Sequence, residues 1–249
     1  MSSRRLPGKV LKPILGVPML LRQIERVNRS KKIDKLVVAT SLDTSDDQIE
    51  QLCRSNGIEC FRGNLNDVLD RFYQASLKFP ADHIVRLTAD CPLADPDVID
   101  HVIEFYEAGE FDYASNAIEP TFPDGLDVEI FRTRCLHEAW NEAKLPFERE
   151  HVTPFIHQRP ARYTIGHYKN ATDLSSLRWT VDEEADFQLI TRIFTYLYPK
   201  NKDFTTTEIL AFLERNPQLK TINTRFRRNE GMDKSLLEDT AALRNSSMD

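Results

Sequence analysis

From residue 18 onward the apolar positions fall into two alternating rhythms. Leu20, Leu21, Ile24 and Val27 recur at helical spacing over 18–29, and Lys35-Leu36-Val37-Val38-Ala39-Thr40 then forms the short continuous apolar run of a buried strand. Ser45 with Gln48 reads as a capping box for a helix carrying Ile49 and Leu52, which Gly57 ends. A second strand is predicted over 58–61. Asn66 caps the next helix, which presents Val68, Leu69, Phe72 and Ala75, and a third strand follows over 83–88. Asp95-Pro96 opens a helix through Val98, Ile99, Val102, Ile103 and Tyr106, with Gly109 as its stop. Short strands alternating with amphipathic helices predict an α/β fold, a mostly parallel Rossmann-like sheet with helices on both faces.

Past Gly109 the rhythm changes. Strands are predicted over 113–116, 128–131 and 162–169, with helices over 133–144 and 148–158 between them, so this half reads as α+β material on the acceptor side. Two further helices are expected over 183–198 and 207–215. With no repeat, low-complexity tract or evident linker, 1–224 is expected to be one domain and 225–249 a polar, mobile tail. A doubly wound sheet usually opens on a buried strand that feeds a phosphate loop, whereas this chain begins in the loop; the expectation is either a first strand upstream of Met1 or a sheet that lacks a central strand.

Charge and composition narrow the partners. A hydrophobic content of 41% over 249 residues is enough for a sizeable core. The net charge of −6 argues against a polymeric nucleic acid, whose binding surfaces are usually strongly basic. Within the acidic chain, Arg4, Arg5, Lys9 and Lys12 stand against no acid in the first twelve residues, as either a frayed basic terminus or a local cationic patch. No run approaches the roughly 20 apolar residues of a spanning helix, and no signal core follows Met1, so a soluble, cytoplasmic protein without membrane partners is expected. Cys53, Cys60, Cys91 and Cys135 form no CxxC pair and are expected to be reduced packing residues.

Three stretches could carry chemistry. In Arg5-Leu6-Pro7-Gly8-Lys9, followed by Lys12 and then by Gly16-Val17-Pro18-Met19 opening a helix, Pro and Gly fix an open loop whose amides can face an anion while Arg and Lys add charge suited to a triphosphate. In Leu87-Thr88-Ala89-Asp90-Cys91-Pro92-Leu93 a strand delivers an aspartate to the end where open α/β sheets bind ligands; Asp90 is either a hard donor for Mg²⁺ or a cap for the next segment. In Arg178-Trp179-Thr180-Val181-Asp182-Glu183-Glu184-Ala185-Asp186-Phe187, a β-rich run brings an acidic cluster to a helix start. There Glu183, Glu184 and Asp186 suit the helix dipole, and Asp182 sits at the strand end. No Walker loop, dinucleotide glycine pattern, nucleophile elbow or histidine metal motif is present.

Taken in order, these stretches resemble the cytidylyltransferases of the spore coat polysaccharide biosynthesis protein F family, and through them the 3-deoxy-manno-octulosonate and acylneuraminate cytidylyltransferases. Asn66-Asp67-Val68-Leu69-Asp70-Arg71-Phe72 resembles a family segment bordering the nucleotide, although Arg71 also suits a helix-face salt bridge. Pro123-Asp124-Gly125-Leu126-Asp127-Val128-Glu129 and Glu148-Arg149-Glu150-His151 resemble acceptor-side motifs, although a solvated acidic helix accounts for Glu148 and Glu150 as well. The likeness reaches Asn229-Glu230-Gly231, and it departs from the family only in lacking the apolar strand and Ala-Arg pair that would precede Met1.

The resemblance implies a fold of the nucleotide-diphospho-sugar transferase type, commonly dimeric, that transfers a cytidylyl group from CTP to a sugar or sugar acid and releases pyrophosphate. It implies Arg5, Lys9, Asp90 and Asp182 as catalytic, with Asp90 and Asp182 holding Mg²⁺. Arg5, Gly8, Lys9, Arg71, Thr88 and Asp90 would bind nucleotide, and Asp127, Glu129, Glu148, Glu150 and His151 the acceptor. A nucleotide-sugar-dependent glycosyltransferase, or a non-catalytic nucleotide-binding homologue, is the competing expectation.

Overall fold

The computed structural model describes residues 5–228 together with Glu230 and Leu236. The expected polar tail, including Asn229 and Gly231, otherwise lies outside the described residues. Near the start, β1 (Pro13–Ile14) and β2 (Val17–Pro18) make a minimal antiparallel hairpin that the hydrophobic pattern missed. Its two turn residues, Leu15 and Gly16, both have positive φ (51° and 76°), as tight hairpins of this handedness require. The hairpin leads into α1 (Met19–Val27).

β3 (Val37–Ser41) pairs in parallel with β4 (Glu59–Gly63), and α2 (Asp47–Ser55) crosses between them. Beyond α3 (Val68–Lys78) lie β5 (His83–Arg86), α4 (Pro96–Ala108) and β6 (Tyr113–Ser115). β7 (Glu129–Arg132), α5 (Thr133–Glu142), α6 (Pro146–His151), α7 (Pro154–His157) and β8 (Ile165–His167) come next. α8 (Glu184–Leu197) and α9 (Thr206–Arg215) close the described fold.

The expectation of a mostly parallel sheet is corrected. In the four-stranded sheet, ordered β5-β7-β6-β8, β7 runs back between β5 and β6, so both of its ladders are antiparallel and only β6 with β8 is parallel. Among the described residues, no ladder joins this sheet to the β3–β4 pair. Helices do cover both faces. Ala114 and Ile130 look into a core with Ile99 and Val102 of α4, Ile190 and Phe194 of α8 and Ile209 of α9. Their neighbours Tyr113 and Phe131 look the other way, into a core with Leu69 of α3, Leu136 of α5 and Ile156 of α7. That alternation is the period of two of a sheet buried on both sides. A third cluster packs Leu20 and Ile24 of α1 against Ile49 and Cys53 of α2, over β3 and β4.

Several local expectations also change. Asp43, not Ser45, caps the turn before α2 by accepting the Ser45 amide at 2.8 Å. Asp67, not Asn66, caps α3 by accepting the Asp70 amide at 2.9 Å. The helix expected over 148–158 is two short helices, because Val152 takes φ 73° and Pro154, without an amide hydrogen, can only begin a new one. Residues 178–182 form no strand, only a single bridge between Asp124 and Arg178. All four cysteines are free, and no described helix is long and apolar enough to cross a membrane.

Candidate active site

Three segments converge on one cleft of about 350 Å³. The amino-terminal loop turns at Gly8, in the left-handed region at φ 69°, and passes into a short 3-10 turn, Lys9–Leu11. The Lys9, Leu11 and Lys12 amides donate back to Leu6, Gly8 and Lys9, so the loop offers the cleft its side-chain cations in place of these amides. The second segment follows β5. Gln23, buried on α1, donates to the Thr88 carbonyl at 2.8 Å and accepts the Cys91 amide at 3.3 Å, clamping the bend that presents Asp90. The third holds Asp182 just before α8, and the Val181 amide donates to the Asp90 carbonyl at 2.8 Å, tying the two acidic segments together.

At the meeting point the Lys9 ammonium lies 2.8 Å from Asp90 Oδ2 and 2.8 Å from Asp182 Oδ1. Burial would pull Lys9 down, but the two carboxylates outweigh it and hold the ammonium above its ordinary lysine value. Likewise burial would lift Asp90, and Lys9 keeps it below the usual carboxylate range. Arg5 reaches Asp182 at 3.1 Å, Glu183 at 3.6 Å and Glu230 at 3.5 Å, while Lys12 pairs with Glu184 on the outer side.

Sequence reasoning did not single out the group that orients Asp182. Arg178 donates to Asp182 Oδ2 at 2.8 Å, to Asp124 Oδ2 at 2.9 Å and to both oxygens of Asp186 at 3.1 and 3.2 Å. Asp186, read as ordinary helix chemistry, is fully buried; it accepts the Asp182 and Glu183 amides and the Asn223 side-chain amide. The signal was present as Arg178, Asp182 and Asp186 at successive intervals of four. Gly125 allows the close approach: it takes φ 106°, and a Cβ there would stand 2.5 Å from the Thr180 nitrogen.

Further along the cleft, Glu129 receives Tyr113 Oη at 2.7 Å and Thr153 Oγ1 at 2.5 Å on one oxygen and Arg86 on the other. Asp127 pairs with Arg228, yet burial, aided by Asp124 and Glu129, pushes its carboxyl up to about 7. Of the residues expected from sequence, Arg5, Thr88, Asp90, Asp127, Glu129, His151 and Asp182 line this cleft, and Lys9 bridges its floor. Glu148, Glu150 and Arg71 are placed elsewhere. Glu148 is buried in a 2.8 Å pair with Arg159, Glu150 is exposed beside His151, and Arg71 donates to the Asn64 carbonyl. A larger groove of about 660 Å³ between α8 and α9 holds only Glu184 and Arg192 as charged groups, and so lacks a comparable constellation.

Two hard carboxylate oxygens aimed at one point suit a divalent cation that keeps places open for phosphate and water. Among the described residues no group of three or more His, Cys, Asp or Glu forms a closed metal cage, so an ion at Asp90 and Asp182 would depend on its substrate for further ligands. Cations poised against paired acids are likewise suited to receive a polyphosphate carrying such an ion.

Comparison with known proteins places the chain in a family. The family model described as cytidylyltransferase matches residues 1–225. The spore coat polysaccharide biosynthesis protein SpsF of Bacillus subtilis is 32% identical over 230 residues, covering 89% of this chain and 93% of that one. The structure of a cytidylyltransferase from Leptospira borgpetersenii superposes with a TM-score of 0.83 at 32% identity, covering 88% of this chain and 92% of the other. A CMP:2-keto-3-deoxy-manno-octonic acid synthetase solved with CTP shares the fold, with a TM-score of 0.60 at 17% identity over 78% of this chain and 94% of its own.

Proposed function

The chain belongs to the cytidylyltransferase family, and we propose that it transfers a cytidylyl group from CTP to a hydroxyl of a sugar or sugar acid, releasing pyrophosphate. The observation that carries this reading is the Lys9 ammonium held 2.8 Å from both Asp90 and Asp182. In this reading the phosphates of CTP enter at that point, and Lys9 and Arg5 turn from the carboxylates to the phosphate oxygens. Mg²⁺ held by Asp90 and Asp182 would neutralise charge on the phosphates. Arg178, fixed by Asp124 and Asp186, keeps the Asp182 carboxylate aimed into the cleft throughout.

The acceptor occupies the Asp127–Glu129 end and presents a hydroxyl oxygen to the α-phosphorus. A new P–O bond forms as the bond to the bridging oxygen breaks in line; its electron pair leaves with pyrophosphate and the hydroxyl proton passes to solvent. Such transfer depends on positioning and charge stabilisation and needs no covalent nucleophile.

The test is Asp90→Asn. It keeps the size and the Lys9 contact but removes one carboxylate charge, and turnover should fall by about two orders of magnitude or more with the thermal transition retained. Undiminished Mg²⁺-dependent pyrophosphate release would remove Asp90 from the mechanism. If the protein consumed a preformed nucleotide sugar and released a nucleoside diphosphate, the glycosyltransferase reading would replace this one.

A further inference from the structure

We infer that Arg227 is a nucleotide-binding residue that grips the β- and γ-phosphates of CTP, as the one cleft-lining guanidinium that no acidic side chain of the described residues already holds. The inference rests on the reading that the cleft receives CTP with its phosphates beside Arg5 and Lys9. Among the described residues, Arg5, Arg86, Arg178 and Arg227 are the arginines that line the cleft. Arg86 pairs with Glu129, Arg178 with Asp124, Asp182 and Asp186, and Arg5 with Asp182, Glu183 and Glu230. Arg227 is exposed, and its hydrogen bonds to the described residues are made by the backbone. Its amide donates to Glu230 Oε1 at 2.8 Å and its carbonyl accepts Arg178 Nη1 at 3.2 Å. Of the lining histidines, His151 lies 3.9 Å from Glu150, and burial holds His157 below the ordinary histidine value, so it adds no charge at neutral pH.

The segment that carries Arg227 is anchored on both sides of it. Asn223, 2% exposed, donates to the Arg178 carbonyl at 2.9 Å and to Asp186 Oδ1 at 2.8 Å. Arg228 donates to the Phe122 carbonyl at 3.1 Å and pairs with Asp127. The network that aims Asp182 therefore also fixes the backbone of Arg227 at the cleft, which leaves only its side chain to be ordered on binding. Position selects the phosphates beyond the α-phosphate: in-line transfer sends pyrophosphate away from the acceptor, and Arg227 adjoins Arg5 through Glu230. The planar fork of an arginine matches phosphate oxygens in pairs. Lys9 and Arg5 must each leave a carboxylate to reach a phosphate, whereas Arg227 gives up only water.

The experiment titrates the full chain by calorimetry, in Mg²⁺, with CTP and with CMP. Absence of CTP binding by the wild-type protein would overturn the proposed function, and this inference with it. In Arg227→Gln the affinity for CTP should fall about tenfold, the low end for a hydrogen bond to a charged group, while that for CMP, which lacks the β- and γ-phosphates, changes less than about twofold. Arg227→Lys keeps the charge but loses the fork, and should fall between the two. Neither substitution removes the backbone contacts that hold the segment. Arg225→Gln is the control: it removes a neighbouring exposed charge outside the cleft lining and should leave both affinities unchanged. Wild-type affinity for CTP in Arg227→Gln, an equal loss for CMP, or the same loss in Arg225→Gln would overturn the inference with the proposed function intact. The first of these is also the result expected of a guanidinium that serves a carboxylate of the acceptor.

Discussion

Asp127 is an acid in a place that resists charge, and its stability effect has a definite sign. Its carboxyl titrates at about 7 in the folded protein, because burial, reinforced by Asp124 and Glu129, outweighs the attraction of Arg228. In the unfolded chain an aspartate releases its proton near 4. The raised value therefore contributes stability that is full below about pH 4 and is lost as the pH climbs to about 7. Asp127→Asn removes that titration while keeping a hydrogen-bonding oxygen for Arg228. The Tm of the variant minus that of wild type should rise between about pH 4 and 7 and stay level on either side, at about 2–4 °C per kcal/mol for a chain of this size. Thermal unfolding in a pH series checks this, and a level difference across the window would contradict the burial of that carboxyl. Single residues were partly legible in the sequence. Arg5, Lys9, Asp90 and Asp182 stood out by type and neighbours, and the structure brings all four together. Arg178 and Asp186 did not, because an arginine among acids looks the same in sequence whether it is solvated or fully enclosed.

At the scale of elements, the reading followed burial. α1, α4, α8 and α9 show strong apolar stripes and were placed within a few residues; the five buried side chains of α4 contribute roughly 1.5–3 kcal/mol for each one that is fully buried. The reading failed where backbone geometry rules. The β1–β2 hairpin is too short to show a period, and the break at Val152 needs a positive φ that sequence does not announce. The stretch from Arg178 to Asp182 alternates like a strand, but its amides go to two loops: Trp179 and Thr180 donate to the Asp124 carbonyl and Val181 to that of Asp90. That junction depends on Gly125, where φ is 106° and a Cβ would lie 2.6 Å from the Trp179 carbonyl carbon. Gly125→Ala should cost roughly 2–4 kcal/mol, combining the unfavourable backbone region with a backbone clash, and should lower turnover through displaced Asp124 and Arg178. Gly57→Ala is the matched control. It has a similar positive φ, 67°, with nothing within 4 Å, so only about 1 kcal/mol should be lost. Equal losses of Tm in the two variants would show that close packing at Gly125 is unimportant.

For the whole molecule, the class of fold was legible and the sheet order was not. Alternating strands and helices do encode two helical layers around a sheet, but nothing in the chain marks β7 as the strand that turns back between β5 and β6, since pairing partners are chosen by distant contacts. What the arrangement creates is a cluster of opposed charges: Lys9 is shared between Asp90 and Asp182, and Arg5 and Arg178 also pair with Asp182. Under the proposed function, in which Mg²⁺ and CTP meet at this cluster, a coupling between ligands follows. Mg²⁺ alone must displace an ammonium bound to both carboxylates, and CTP alone must bring its phosphates toward those same carboxylates once Lys9 turns away. Bound together, the ion satisfies the acids and the phosphates receive Lys9 and Arg5, so each ligand removes the obstacle to the other. By linkage the coupling is reciprocal, typically 1–3 kcal/mol or about 5- to 150-fold in affinity. Calorimetry should therefore find CTP binding tighter by at least about fivefold with Mg²⁺ present, and the Tm increase with both ligands larger than the sum of the separate increases. In Lys9→Met the ion meets no ammonium to displace and CTP loses a phosphate partner, so Mg²⁺ alone should bind more tightly and CTP more weakly than in wild type. Strictly additive shifts in the wild-type protein, or unchanged affinities in the variant, would mean that Lys9 does not stand between the two ligands.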